Sequence, residues 1–422
     1  MIKKIIKKLV PKFLISWYHF ALAFLGAVAY GFPSRKITVI GVTGTHGKTT
    51  VVDLTTTIFE HAGYKVAAAS SIKFRIDGNE EENKLKMTMP GRAGLQKFLR
   101  QAVKAGCKYA ILEVTSEGVL QHRHRFIDFR TMVFTNLFKE HLERHGGFEN
   151  YKQAKGEYFK VCKNIHIINA DDQQAGYFLQ FPAQQKYQFS TIRYPISNIG
   201  VLAENVEVLD KGLKFDVVFK EQREQFNLNL MGKFNIYNAL ASISIALTQG
   251  LSLEQCKQGL EQAKGVPGRM EEVISKPFRV VVDYAFTPDA LTRVYQTLSS
   301  FSPNLICVLG ACGGGRDKWK RPELGKIANQ YCKQVIITNE DPYDEDPMEI
   351  INQVAIGVGE KARKVLDRRE AISQALKLAQ QGDTVIITGK GCEPWLMEEG
   401  GKRTPWDDRR ITREEFAKIS NS

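Results

Sequence analysis

Closely spaced cysteine pairs are missing from this chain. Its seven cysteines, at 107, 162, 256, 307, 312, 332 and 392, are odd in number and scattered, and no C-x-x-C occurs. That excludes a zinc ribbon and leaves no disulfide framework to expect, so a reducing compartment is the plain reading. Basic–aromatic interleaving and RNA-binding signatures are also absent, which sets nucleic acid aside as a partner despite a net charge of +13. No repeat of solenoid period and no low-complexity stretch appears. A long uncharged run stands near the N-terminus, the twenty residues FLISWYHFALAFLGAVAYGF from Phe13 to Phe32.

That run is bracketed by Lys3, Lys4, Lys7, Lys8 and Lys12 before it and by Arg35-Lys36 after it. Its length would reach across a bilayer. Only Pro33 to Lys36 separate it from the first core strand, however, so a span would press the globular part against the headgroups. Ala27-Val28-Ala29 resembles a signal-peptidase site, but export would part a nucleotide loop from cytosolic ATP. The basic flank and the Trp17/Tyr18 pair favour a helix lying in the membrane interface or docked on the protein itself. We therefore expect residues 1–36 to be a separate basic and apolar segment, with membrane-surface contact through 1–33. The expected location is cytoplasmic, peripheral at the inner face of the membrane.

The remainder is ordinary globular sequence. A chain of 422 residues, 43% hydrophobic and 25% charged, holds two or three domains with real cores. Short apolar runs alternate with helical stretches. Strands are expected at Ile37–Ile40, Tyr109–Glu113, Thr131–Phe134 and Ile165–Asn169, and helices at Lys48–Ala62, Gly94–Ala105 and Asn150–Val161. This alternation predicts an α/β fold with a mostly parallel sheet. Between about 186 and 230 the pattern predicts antiparallel hairpins turning at Lys211-Gly212, followed by helices near 235–249 and 252–264. GVPGR at 265–269 is a natural hinge. A second α/β series follows, with strands at Val280–Asp283, Leu305–Leu309, Gln334–Thr338 and Thr384–Thr388. The domains are expected at 37–267 and 268–422.

GVTGTHGKTT, residues 41–50, lies between a strand and a helix. Gly44, Thr45, Gly47, Lys48, Thr49 and Thr50 suit a nucleoside triphosphate. Backbone N–H groups approach phosphates where glycine removes the side chain, and the helix N-terminus adds positive potential. Lys48 reaches the terminal phosphates, and the Thr49 hydroxyl is a Mg²⁺ ligand. Five residues rather than four separate Gly41 from Gly47, a departure from the usual spacing. Glu113 ends a buried strand, where a carboxylate is costly unless it pairs or holds a metal. His141 and His145, four apart, suggest a metal pair or a solvated helix face. Asn235 and Asn238 open a helix at a three-residue interval.

The ordered series GTxGKTT, EVxS, TNLxxEHLxxHG, NYxxAK, GxFNxxNxLA, PGRME, DYAxTPDAL and GKGxE, spread over residues 37 to 411, resembles the Mur ligase family, closest to its MurE branch. The resemblance implies a P-loop central ATPase domain followed by a Rossmann-like C-terminal α/β domain. It also implies an ATP- and Mg²⁺-dependent amide ligase of peptidoglycan precursor synthesis. Such an enzyme converts a substrate carboxylate to an acyl phosphate, which an amino acid amine then displaces. By the same resemblance Lys48, Glu113, His141 and Lys155 are catalytic. Thr49, Glu113, His141 and a carbamoylated Lys155 serve the metals, and Asn235, Asn238, Arg269 and Asp283 join the ATP site. Arg316, Asp341, Tyr343, Gly389 and Glu393 face the added amino acid, with Arg316 on its α-carboxylate and Glu393 on its distal ammonium.

Departures from the family pattern are informative. Nothing but the apolar segment precedes the first strand, where the family carries its UDP-binding domain, so a lipid-linked muramoyl peptide joins the UDP-linked one as expected substrate. Phe286, Cys392 and Glu117 stand where histidines are usual. The selection loop reads Glu340-Asp341-Pro342-Tyr343 instead of DNPR. A phenol cannot fork onto a second carboxylate as arginine does, so Tyr343 with Asp341 favours lysine over diaminopimelate. The alternatives are a polyglutamate-adding or amidating ligase, and a non-catalytic membrane-associated ATP-binding scaffold.

Overall fold

The computed structural model of the protein describes residues 11–85, 87–192, 200–302 and 304–420. Lysines 3, 4, 7 and 8 lie outside the described residues. The first sheet comprises β1 (Thr38–Thr43), β2 (Val66–Ala69), β3 (Lys73–Ile76), β4 (Asn79–Glu82), β5 (Tyr109–Glu113) and β6 (Phe129–Phe134). It continues through β7 (Ile165–Asn169), β8 (Gln185–Ser190), β9 (Gly200–Leu209), β10 (Gly212–Phe219) and β11 (Gln222–Leu228). Their spatial order is β11-β10-β9-β8-β7-β6-β1-β5-β2-β3-β4. From β2 to β9 every neighbouring pair is parallel, and an antiparallel hairpin closes each edge.

Strands buried on both faces read as continuous apolar runs, and helices cover both sides here. Ile40 and Val42 pack with the helices Lys48–His61, Asn235–Thr248 and Leu253–Glu261. Val39 packs the opposite way, with Leu95, Leu99, Tyr151 and Tyr158 of the helices Arg92–Lys104 and Phe148–Val161. The second sheet comprises β12 (Glu271–Ile274), β13 (Arg279–Asp283), β14 (Leu305–Leu309), β15 (Gln334–Thr338), β16 (Ala362–Val365) and β17 (Thr384–Thr388). Its order is β12-β13-β17-β14-β15-β16, all parallel except β12. The ends of β1, β5, β13 and β17 carry the polar loops where open parallel sheets bind ligands.

Two expectations are corrected. The hairpin turn falls at Asp210-Lys211, because Gly212 already pairs with Leu209. The hairpin region joins the main sheet, since β9 adds in parallel to β8. Finally, Cys307 in β14 and Cys332 after the helix Lys320–Tyr331 form a disulfide, with Cα atoms 6.1 Å apart. Sequence spacing gives no hint of a pair that only the sheet-to-helix packing creates.

The apolar segment forms the helix Lys12–Ala29. One face docks: Ala23 and Ala27 are buried, Gly26 abuts Ala93, Phe20 and Phe24 stack against Phe126, and Ser16 Oγ lies 2.7 Å from His122 Nε2. The other face leaves Leu14, Trp17, Tyr18, Leu25 and Val28 exposed, a stripe at helical spacing. No helix among the described residues is long and apolar enough to cross a membrane.

Beside this helix, His124 is 2% exposed and neither ring nitrogen has a partner. Burial, with Arg125 and His122 nearby, lowers its pKa from 6.5 to about 3. The unfolded chain therefore binds the extra proton, so this residue's stability contribution is whole above pH 6.5 and declines as pH falls toward 3. Between pH 7.5 and 5, His124→Phe should abolish about 2 kcal/mol of acid destabilisation, read from urea unfolding at both pH values.

Candidate functional site

Between β1 and the helix Lys48–His61 the chain makes a tight loop. Gly44 and Gly47 have φ of 153° and 82°, and a side chain on either would strike Thr135 or Asn238. Asn136 pins the loop: its carbonyl accepts from Thr45 N and its side-chain oxygen from His46 N, each at 2.9 Å. This anchoring accommodates the unusual glycine spacing. Lys48 Nζ donates to Thr45 O at 2.9 Å, and Lys155 Nζ donates to Gly44 O at 2.7 Å.

Glu113, at the end of β5, is the polar centre. It is 4% exposed, and Lys48 Nζ sits 3.7 Å from Oε1. Thr49 Oγ1, Ser71 Oγ and Ser71 N each donate to Oε2 at 2.9 Å. Charge-assisted bonds of about 1.5–3 kcal/mol each offset the cost of burying the carboxylate. Burial lowers the Lys48 pKa while Glu113 opposes the shift.

Lys155 makes no ion pair among the described residues. It lies buried against Gly44 O and over the Tyr151 ring at 4.8 Å. Burial and the Lys48 charge hold its pKa well below the ordinary lysine value. His141 has a left-handed backbone, φ 57°, and caps the one-turn helix Leu142–His145. Burial, then Arg316, Lys155, Lys320 and Lys48, lowers its pKa to about 2, leaving a neutral imidazole. His145 Nε2 lies 3.0 Å from Ser116 Oγ, and both imidazoles lie against the Tyr151 ring, at 5.9 Å for His141 and 5.4 Å for His145.

One cavity of about 960 Å³ collects Lys48, Glu113, His141 and Lys155, together with the other residues the sequence singled out for ATP, metal or amino acid, His145 excepted. Both sheet units line it. Asn238 Nδ2 donates to Asn235 Oδ1 at 2.7 Å, and its own side-chain oxygen packs over Gly47. Arg269 stacks on Tyr284 at 4.2 Å and makes no ion pair among the described residues, so a cation is left for phosphate. Asp283 is less available than expected. Its oxygens accept from Met270 N at 2.7 Å and Ala285 N at 2.6 Å, which hold the Arg269 turn in place.

Arg316 also lacks an ion pair among the described residues and lines the cavity. Asp341 departs from expectation. Lys390 Nζ lies 2.9 and 3.0 Å from its two oxygens and also bonds Glu393, so an internal cation already serves both carboxylates. Tyr284 Oη donates to the other Glu393 oxygen at 2.8 Å. Burial raises the Tyr343 pKa to about 12, leaving a neutral phenol at the cavity wall. Gly389, φ 108°, lets the chain pass Glu340, with which a side chain would collide. Phe286, Cys392 and Glu117 line the same space.

Several lining residues escaped the sequence reading. Ser71 holds Glu113, Arg293 stacks on Phe138 at 4.8 Å, and His46 Nε2 lies 3.1 Å from Thr287 Oγ1 across the two units. His46 sat visibly inside the phosphate loop, but nothing local signalled Ser71 or Arg293. No group of three or more His, Cys, Asp or Glu side chains suited to a metal occurs among the described residues. A carboxylate with hydroxyls beside a phosphate loop nevertheless fits Mg²⁺, which takes one or two carboxylates and completes its shell with phosphates and water.

Comparison with known proteins agrees with this geometry. The Mur ligase middle domain matches residues 42–246, and the Mur ligase glutamate ligase domain matches residues 268–391. The UDP-N-acetylmuramoyl-L-alanyl-D-glutamate–2,6-diaminopimelate ligase of Clostridium botulinum is 35% identical over 94% of this chain and 82% of its own. A solved structure of a ligase with that same name is 31% identical, covers 92% of this chain and 79% of its own, and has a TM-score of 0.63. The folylpolyglutamate synthase of Mycobacterium tuberculosis shares the fold at 17% identity and a TM-score of 0.73, over 87% of this chain and 92% of its own.

Ser71→Ala removes one of the three hydrogen bonds on Glu113 Oε2, leaving those from Thr49 Oγ1 and Ser71 N, and should raise the Mg²⁺ concentration for half-maximal ATP binding roughly 10-fold. Glu113→Ala should raise it further. Both are read by titrating Mg²⁺ against a fluorescent ATP analogue.

Proposed function

The chain belongs to the Mur ligase family, and we propose that its cavity joins a muramoyl-peptide carboxylate to an amino acid at the expense of ATP. It is an ATP-dependent C–N ligase of peptidoglycan precursor synthesis. The observation that carries the residue-level reading is the convergence of Lys48, Glu113, His141 and Lys155 on one cavity. The carboxylate oxygen attacks the terminal phosphorus of ATP, giving acyl phosphate and ADP. The amine nitrogen then attacks the acyl carbon, the C–O bond to phosphate breaks, and amide, phosphate and a proton result. Lys48 and Arg269 place cations where charge gathers on phosphoryl oxygens. Thr49 and Glu113 would hold one Mg²⁺ and His141 a second, supplying further neutralisation of that charge.

Lys155 we assign as a carbamoylated ligand of that second ion. Carbamoylation needs an unprotonated amine, and the buried setting of Lys155, next to Lys48 and without a carboxylate partner, favours that form. The chain divides as 1–36, 37–267 and 268–422, with the second sheet unit closing over ATP at the glycine-rich hinge. Closure keeps water from a hydrolysable acyl phosphate.

Arg316 takes the amino acid's α-carboxylate, and Glu393 with Gly389 lies toward its far end. Tyr343 presents a neutral phenol where a guanidinium would be needed for a second carboxylate, so lysine is favoured over diaminopimelate. Asp341 enters this argument only through Lys390. The exposed stripe Leu14, Trp17, Tyr18, Leu25 and Val28, preceded in sequence by five lysines, rests on an anionic membrane surface. The carrier of the muramoyl peptide is then a lipid, and the protein sits at the cytoplasmic face.

Two tests apply. With muramoyl dipeptide on UDP or lipid, ADP formation should depend on added amine, and kcat/KM for lysine should exceed that for diaminopimelate, with Tyr343→Arg reversing the order. Hydrolysis indifferent to amine would point instead to an ATP-binding scaffold. The protein should float with anionic liposomes and lose this when residues 1–33 are deleted, whereas absence of flotation in the full chain would return the carrier to UDP.

A further inference from the structure

His141 is held from the other half of the molecule. Glu140, the residue before it, pairs with Lys320 at 2.9 Å, both groups 2% exposed. The two residues after it are capped by Asp317, whose carboxylate oxygens accept from Leu142 N at 3.1 Å and Glu143 N at 3.0 Å. Asp317 itself is 3% exposed. Asp317 and Lys320 belong to the segment joining β14 to the helix Lys320–Tyr331, in the second sheet unit, and Arg316 adjoins them. Glu140 and His141 follow β6 of the first. His141 meanwhile adopts a left-handed backbone, which is unfavourable for a non-glycine residue and persists where the surroundings enforce it.

We propose that Asp317 and Lys320 are positioning residues, which clamp the backbone on either side of His141 and aim its imidazole into the cavity only when the two sheet units are together. Every bond of this clamp crosses between the units, so separating them releases the turn. The segment that bears Arg316, and so meets the amino acid, is the one that sets His141. Seating of the amine is thereby coupled to completion of the second cation seat. This rests on the assignment of His141 as a cation ligand. A buried carboxylate and ammonium of mere structural use would need no neighbour in a strained turn at the cavity wall.

Mn²⁺ replaces Mg²⁺ in the test, and its binding to the full-length protein with ADP is followed by electron paramagnetic resonance. The wild type should bind two ions. Lys320→Met should weaken the second at least 10-fold, leave ADP affinity within 2-fold, and be partly rescued by Lys320→Arg. Asp317→Ala should act likewise. Because Lys320→Met strands the Glu140 charge, the double variant Glu140→Gln/Lys320→Met, which removes both charges, is measured beside it, with thermal unfolding as the control for folding. Folded variants that retain the second Mn²⁺ at wild-type affinity would overturn the clamp. His141→Ala separates the two ideas: if it also keeps both ions, the ligand assignment fails, whereas loss of an ion in His141→Ala but not in the clamp variants refutes the clamp alone.

Discussion

A carboxylate buried at the end of a parallel strand organises this molecule. Glu113 tolerates its position because Lys48, Thr49 and Ser71 converge on it from the phosphate loop and the turn after β2. Those partners meet because β2, β5 and β1 run side by side in parallel and deliver their loops to one edge. Removing the charge would leave Lys48 buried without a counter-ion, and the loop without the group that fixes its first helical turn. The site and the fold are therefore one electrostatic problem, in which a low-dielectric setting strengthens each interaction and penalises each unpaired one.

Several cations at the cavity wall lack an acidic partner. Arg269 and Arg316 make no ion pair among the described residues, and Arg293 rests on a phenyl ring. Lys155 meets a carbonyl and the Tyr151 ring. Such an arrangement is unfavourable until anions arrive, which suits a reaction whose substrates are polyphosphate and carboxylate. Where the wall is acidic the structure supplies its own counter-ion: Lys390 bridges Asp341 and Glu393, so selection of the amine proceeds through shape and residual charge.

The two sheet units meet through polar contacts as well as across the cavity. His46–Thr287, Glu140–Lys320 and the Asp317 cap all join groups that lie at least 174 positions apart. Polar interfaces of this kind separate at lower cost than apolar ones, which suits an enzyme that must open for exchange and shut for chemistry.

Much of this was legible in the residues. Strand positions such as Tyr109–Glu113, Ile165–Asn169 and Leu305–Leu309 follow from apolar runs, and the phosphate loop follows from glycine, lysine and threonine before a helix. Motif order gave the family and placed the functional side chains on named positions. Local pattern failed where the outcome depended on what lies across space. The i,i+4 spacing of His141 and His145 implied a shared helix face, but it gave no sign of the left-handed backbone at His141 or of the cap from Asp317. Asp341 read as open to an amine until Lys390 was found against it. Ser71, Arg293 and the Cys307–Cys332 pair carry no local signature at all. Sequence alone determined the elements, the chemistry of the loop and the family, because each depends on neighbours along the chain. The tertiary structure alone decided which charges are paired, which are free and which turns are held, because burial and ion pairing depend on neighbours in space.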